Sequence, residues 1–549
     1  MSANASAAVG LRAGPREWLG LAVLALPTLL LSLDVTVLFL AVPHISADLA
    51  PSSTQALWIM DIYGFMVAGF LITMGTLGDR IGRRKLLLTG ALAFGVASAL
   101  AAYSTSAEML IVTRALLGLA GATLMPATLA LITNMFRDPK QLGMAIGAWA
   151  SCFSVGIAIG PLVGGVMLES FWWGSVFLLG VPVMLLLVVL GPILLPEHKD
   201  PDAGRMDLAS VALSLLAMLP LVYGIKEVAK GEHMAASVVA LVVGLAFAVV
   251  FVRRQRQLEN PLLDMRLFAN RSFAVALGVL LLGLVAIGGI YLFVTQYLQL
   301  VEGLSPLKSG MWLLPAAIGM VITSTVAPAI AQRIRPGFVV GGALLVSATG
   351  YLLLAFVAPD TGLWLVVVGF AVLYLGTGPV MALGTNLVVA SAPPEKAGSA
   401  SAMSETSMEL GVSLGIAALG SLGATVYASQ VDVPEGLPGN VVSATEDSLA
   451  SASAVVTDVP SEVGASVLSA AREAFLSGMS VIAAVSAGIV LLLAVMAMVA
   501  LRHVPSAGAE DDASQEEAPE DAAADAAADE AAGTPLSRQG HQTETAQVS

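Results

Sequence analysis

Apolar residues run through this chain in long blocks separated by short polar or glycine-rich punctuation. Strands would show strict alternation and a surface helix a one-sided stripe, and neither pattern dominates. A helix that crosses a bilayer needs about 20 mostly apolar residues. That filter predicts fourteen spans, near residues 18–41, 55–78, 85–104, 108–133, 142–168, 173–195, 207–227, 235–252, 273–298, 308–331, 337–358, 362–390, 397–427 and 475–501. The expected class is an all-α integral membrane protein. The segments at 362–390 and 397–427 exceed the bilayer thickness, so tilting or projection is expected there.

The polar punctuation carries an orientation signal. With both termini in the cytoplasm, 20 of the 25 Lys and Arg residues fall on the inner side. Such an excess follows the positive-inside rule. Only Arg114, Lys226, Lys230, Lys308 and Arg472 fall within spans or outside. Trp18, Trp172, Trp173 and Trp364 sit at predicted span ends, where an amphipathic ring suits the headgroup zone. Residues 1–17 are small and polar and lead into a full-length apolar run, so no cleavable signal is evident and the first span reads as an anchor.

Two segments stand apart from this body. Residues 428–474 form a long external stretch with two readings, a short helical hairpin over the outer mouth or a mobile loop. Residues 505–549 are Ala, Asp, Glu and Pro with little apolar bulk, the composition of a disordered acidic tail.

Composition sharpens the class. The chain is 57% hydrophobic and 12% charged, against roughly 25% charged residues in a soluble protein. The net charge of −14 is concentrated outside the spans. Residues 510–549 hold eleven acids and one Arg, and residues 431–473 hold seven acids and one Arg, so the membrane body is nearly neutral. Nothing in this distribution suggests nucleic acid as a partner. Cys152 is the only cysteine, which excludes an intrachain disulfide and a Cys-based metal cluster. The 5 scattered His residues argue against a zinc site, and no metal or cofactor is expected.

Against that neutral body, four acids stand out within spanning segments: Asp34, Asp61, Glu405 and Glu409. Arg114 is the one basic residue placed at comparable depth. Ionisable groups in hydrocarbon are costly and mark ion or substrate pathways. Asp34, Asp61 and Arg114 lie at similar depths in the first, second and fourth segments, so they are candidates to meet. Asp61 has two readings, a proton or cation site and a structural partner for Arg114. Arg114 likewise reads as a functional cation or as a brace on backbone carbonyls. Glu405 and Glu409 are four apart, which puts them on one helix face about 6 Å apart along the axis. Like charges that close compete for a shared proton or cation, which suits binding and release. Glu405, nearer the cytoplasm, also fits a wetted vestibule.

Local motifs narrow the function. Residues 75–88 read GTLGDRIGRRKLLL between the second and third segments. Gly75, Gly78 and Gly82 permit a tight turn, Asp79 can accept from Arg83 or sit against a neighbouring helix N-terminus, and Arg80, Arg83 and Arg84 hold the loop inside. Residues 112–122 read VTRALLGLAGA around Arg114, and 156–165 read GIAIGPLVGG. In the latter, Gly156, Gly160, Pro161, Gly164 and Gly165 allow close packing and bending, which reads either as ordinary small-residue packing of a helix bundle or as a role in gating or in limiting proton leak. Residues 33–43 read LDVTVLFLAVP and 57–69 read LWIMDIYGFMVAG.

Together these runs resemble the signatures of the major facilitator superfamily. Within it they look like the fourteen-span drug:proton antiporters, and more narrowly the quaternary-ammonium exporters of the QacA and SmvA type. The resemblance implies two six-helix bundles, 18–195 and 273–504, the second including the 428–474 segment. An inserted helix pair, 207–252, would lie between them. Two departures are visible. Phe39 and Leu40 replace the usual Asn-Val of the first span, and 310–330 carries no acid. The second argues against efficient export of divalent organic cations.

The expected function is proton-coupled efflux of lipophilic cations across a bacterial cytoplasmic membrane by a monomeric, multi-pass carrier. The alternative is export of a neutral or anionic natural product for self-resistance. Phe39, Tyr63, Phe65, Met66, Trp149, Met320, Met403 and Met408 are candidates to line an adaptable cavity, since Met surfaces and aromatic faces suit varied lipophilic cations. No GxSxG, HExxH or phosphate-loop pattern argues for an enzyme or an ATP-driven pump.

Overall fold

Fourteen helices are long and apolar enough to cross a membrane among the residues that the computed structural model describes. Those residues are 13–506, without 198, 200–206, 231–233, 259–260, 360–361, 394–395, 435–436 and 457–458. The expected disorder of the acidic tail, Arg12 and Arg205 therefore lie outside the described residues. In chain order the spans are Pro15–Leu49, Ser53–Ile81, Arg83–Ala102, Ala107–Met135, Lys140–Ser170, Ser175–Leu194 and Leu208–Val228. They continue with Met234–Gln257, Arg271–Val301, Pro306–Ala331, Pro336–Ala355, Gly362–Ala390, Gly398–Gln430 and Ser461–Ala500. They are called spans one to fourteen below. The all-helical membrane class expected from the hydrophobic pattern is what the chain forms.

Helix is the expected answer where no water can satisfy the backbone. The starts are chemically marked. Ser52 accepts from the Gln55 amide while the Gln55 side chain accepts from the Ser52 N–H at 3.0 Å, a reciprocal cap on span two. Ser106, Asp138, Asn270 and Ser305 cap four more helices. Between spans two and three the chain reverses at one residue. Gly82 has φ +109°, which only glycine adopts without strain. Arg83 reaches back to Asp79 at 2.5 Å, and Arg84 donates to the Leu195 carbonyl at 3.0 Å. The basic loop thereby ties span three to the end of span six.

Spans one to six pack among themselves, and so do spans nine to fourteen. Spans seven and eight pair with each other, and span seven lies against spans two and thirteen. A polar clamp holds the base of that inserted pair: Arg254 donates to Asp207 at 2.9 Å, and Gln255 donates to Ser210 at 2.7 Å. Burial disfavours the Asp207 charge, but the hydrogen bonds from Arg254 and Ser210 outweigh it and hold the carboxyl below its ordinary range.

The two halves meet chiefly toward the face opposite the basic loop. There Gln299 donates to the Leu40 carbonyl at 3.0 Å, and Phe39 meets Tyr291 edge to face at 4.5 Å. Gly156, Gly160 and Gly164 of span five lie against Ser32, Thr36 and Val37 of span one. Gly165 touches the backbone of Leu307 in span ten, and the Pro161 carbonyl faces Gly310. Span five is therefore wedged between the halves by residues without a Cβ to spare. Gly143, Gly147 and Gly398, nearer the basic face, have no atom within 4 Å of where a Cβ would stand.

Part of the 428–474 segment is helical, over Gly439–Asp447 and Leu449–Val455. It docks on the span ends through Ser53 N–H to Asp447 at 3.0 Å and Tyr427 O–H to the Thr445 carbonyl at 2.7 Å. Span fourteen then starts at Ser461, not near 475, because the amphipathic stretch 461–474 continues directly into the apolar run.

The wedge predicts a defined mutant effect. A Cβ on Gly165 would sit 2.6 Å from the Leu307 Cα. Gly165→Val is expected to loosen this closure and raise maleimide labelling of a Ser309→Cys probe several-fold, in a Cys152→Ser background. Unchanged labelling of this otherwise buried position would show that the glycine contact does not hold the face shut.

Candidate functional site

The acids inside the bundle occupy three different environments. Span one carries Asp34, whose carboxylate meets Arg114 of span four at 2.7 Å. Arg114 is 1% exposed. It also donates from Nε to the Ile59 carbonyl at 3.3 Å and lies 4.7 Å from the Tyr63 ring centroid and 5.8 Å from that of Phe177. One guanidinium thus joins spans one, two, four and six. The Asp34 side chain keeps 11% exposure.

Asp61 does not join that cluster. It meets Lys226 of span seven at 2.7 Å, with both side chains fully buried. Lys226 therefore corrects the expectation that Arg114 alone lies at this depth. Its position near the predicted end of a span concealed it. The usable signal was the helical spacing of Trp58 and Asp61, which presents a ring and a carboxylate to one neighbour.

Glu405 and Glu409 of span thirteen make no ion pair among the described residues. Both line a central cavity between the halves, about 920 Å³ of atom-free space counting its open mouth. Spans one, four and five supply Phe39, Met125, Phe153 and Ile157, and the second half supplies Tyr291, Met320, Tyr374, Met381 and Met408. Its wall holds no Lys, Arg or His among the described residues. Tyr291 stacks on Phe370 at 5.6 Å, which fixes its ring toward the cavity.

The other cavity candidates lie elsewhere. Tyr63 covers Arg114, and Met66 packs on Gly118. Phe65 forms a small core with Val222 and Ala417. Trp149 and Met403 belong to the main apolar core. Phe153, Tyr291, Tyr374 and Met381 were not singled out from the sequence, because a cavity-facing aromatic or Met looks the same there as a core one. Of the motif residues, Asp79, Arg83 and Arg84 form the staple described above, and Gly78 lies beneath Leu86. Gly75 faces Pro126 of span four. Arg80 is exposed on the basic face.

A pair of helical bundles with an apolar, acid-bearing cavity between them defines a membrane transporter of the carrier type. Comparison with known proteins agrees. Residues 24–416 match the model of the Major Facilitator Superfamily, and the chain belongs to that family. It is 44% identical over 444 residues to the multidrug efflux pump LfrA of Mycolicibacterium smegmatis, covering 81% of this chain and 88% of that one. It is 36% identical over 443 residues to the methyl viologen resistance protein SmvA of Salmonella typhimurium, covering 80% and 88%. Among solved structures, a bacterial homolog of the human lysosomal transporter Spinster, inward-facing and unoccupied, aligns with TM-score 0.63 at 17% identity, covering 90% of this chain and 98% of that one.

Breaking a buried pair leaves a bare charge, at a cost of about 3–5 kcal/mol. Arg114→Met is therefore expected to lower the Tm of the purified protein sharply. Adding Asp34→Asn should recover much of that loss, because the stranded carboxylate is then gone. Additive losses in the double variant would show that the two residues are not energetically coupled.

Proposed function

We propose that this transporter expels lipophilic, predominantly monovalent organic cations in exchange for protons. The observation that carries the reading is the pair Glu405 and Glu409 in a wall of Met and aromatic side chains without a basic residue. A carboxylate pair in such a cavity attracts a cation that sheds water easily, and the aromatic faces add to that attraction. An anionic cargo would meet repulsion instead. The names of the efflux relatives support drug export as the general activity.

The positive-inside rule supports assigning the basic face to the cytoplasm, with both termini there and the membrane a bacterial plasma membrane. The cavity then faces the cytoplasm, and the conformation is ready to load cargo. Each half is a rigid bundle, and span five with Gly156, Gly160, Pro161, Gly164 and Gly165 provides the rocking surface. Protons reach the carboxylates from outside when that surface parts, displace the cation and leave to the cytoplasm after return. Asp34 is held by Arg114 in the present conformation, and its share in proton exchange requires that pair to open in the other. The carrier is read as a monomer, because each chain holds a complete cavity.

Energetics require more than one proton site or a pH gradient. Moving one elementary charge outward against an inside-negative 100 mV costs about 2.3 kcal/mol. One proton in for one monovalent cation out only balances charge. Two acids on one wall supply the further capacity.

Ethidium efflux from energised cells tests the reading. Asp34→Asn and Glu409→Gln are each expected to abolish efflux driven by a pH gradient while the protein still reaches the membrane. Undiminished, uncoupler-resistant efflux in both variants would refute it.

A further inference from the structure

The contact between Asp61 and Lys226 has unusual chemistry for a brace. Nζ stands 2.7 Å from Asp61 Oδ2. On its other side the ammonium lies 3.7 Å from the centroid of the Trp58 ring. Neither Nζ nor either carboxylate oxygen of Asp61 makes an aligned hydrogen bond among the described residues. What holds the ammonium is a carboxylate on one side and an indole face on the other. A carboxylate beside an indole face is a recurrent recognition site for organic ammonium ions.

Stability does not explain the arrangement. A fully buried ion pair is often no better than apolar side chains of the same volume. Phe65, Val222 and Ala417 form an apolar cluster at this same junction of spans two, seven and thirteen. An apolar pair would continue it at no electrostatic penalty.

We infer that Trp58 and Asp61 form an organic-ammonium site, separate from the central cavity, whose occupant in this conformation is the tethered ammonium of Lys226. The ligand class is a small alkylammonium ion. The site stands on helix two, which packs across the halves through Gly64 against Ser413 of span thirteen. Lys226 arrives from the inserted pair, so a free cation enters only when span seven withdraws. The inserted helices thus carry a competitor for a cation site and are more than peripheral packing. The inference goes beyond the efflux reading, and its test does not require transport.

Lys226→Ala removes Cγ, Cδ, Cε and Nζ, the outline of n-propylammonium. In the purified full-length protein, n-propylammonium chloride is expected to raise the Tm of Lys226→Ala saturably by several degrees. Potassium chloride and n-propanol should not, nor should n-propylammonium stabilise wild type, whose site is filled. Adding Asp61→Asn should abolish the saturable effect. Adding Trp58→Leu should weaken the apparent affinity about tenfold, as loss of a desolvated cation–π contact implies. An absent effect, or an equal one in wild type, overturns the inference. Should Lys226→Ala not yield folded protein, n-propylammonium present during membrane extraction is expected to recover it, and failure to recover it counts equally against the site.

Discussion

A bilayer offers no water to a charged side chain, so each ionised group inside this bundle must find a counter-charge or a wetted cavity. Everything specific about the molecule follows from how its four deep acids meet that demand. Asp34 finds a guanidinium, Asp61 finds an ammonium, and Glu405 and Glu409 find only the cavity. The first two are satisfied by the protein itself. The last two line the cavity with no ion-pair partner among the described residues.

That division also explains the placement of small residues. Helices can bring their charged groups together only if their backbones approach closely, and in lipid that approach depends on packing and not on expulsion of water. Gly118 of span four lies against the Tyr63 backbone, one turn from Arg114, and lets the guanidinium reach both span one and span two. Gly64 does the same service between spans two and thirteen. The glycines of span five bring it close against spans one and ten. Close packing and charge pairing are thus two sides of a single arrangement, and substitutions in either are expected to disturb the other.

Much of this was legible in the sequence. Spanning segments announce themselves because burial in lipid demands length and apolarity together, and the fourteen expected from that rule are the fourteen formed. The Gly82 turn and the Asp79–Arg83 contact followed from local chemistry alone. The pairing of Asp61 was hidden, because depth read from sequence is soft by several residues and Lys226 lay near a predicted boundary. The cavity wall was also largely hidden: Phe39, Met320 and Met408 face it, yet Trp149 and Met403 have the same chemistry and face the core. Which face a helix turns inward depends on its neighbours. In a helix apolar all round, the sequence carries no stripe to reveal it.

The proposed exchange has one pair of carboxylates, Glu405 and Glu409, trade protons for an organic cation. Proton release on cation binding tests it most directly. Purified protein in weakly buffered detergent solution is mixed with ethidium, and the pH is followed with an indicator dye. The account predicts release of protons with wild type, saturating with ethidium binding, and its loss when Glu405→Gln and Glu409→Gln are combined. Ethidium binding to wild type without any proton release, or release undiminished in the double variant, would contradict it.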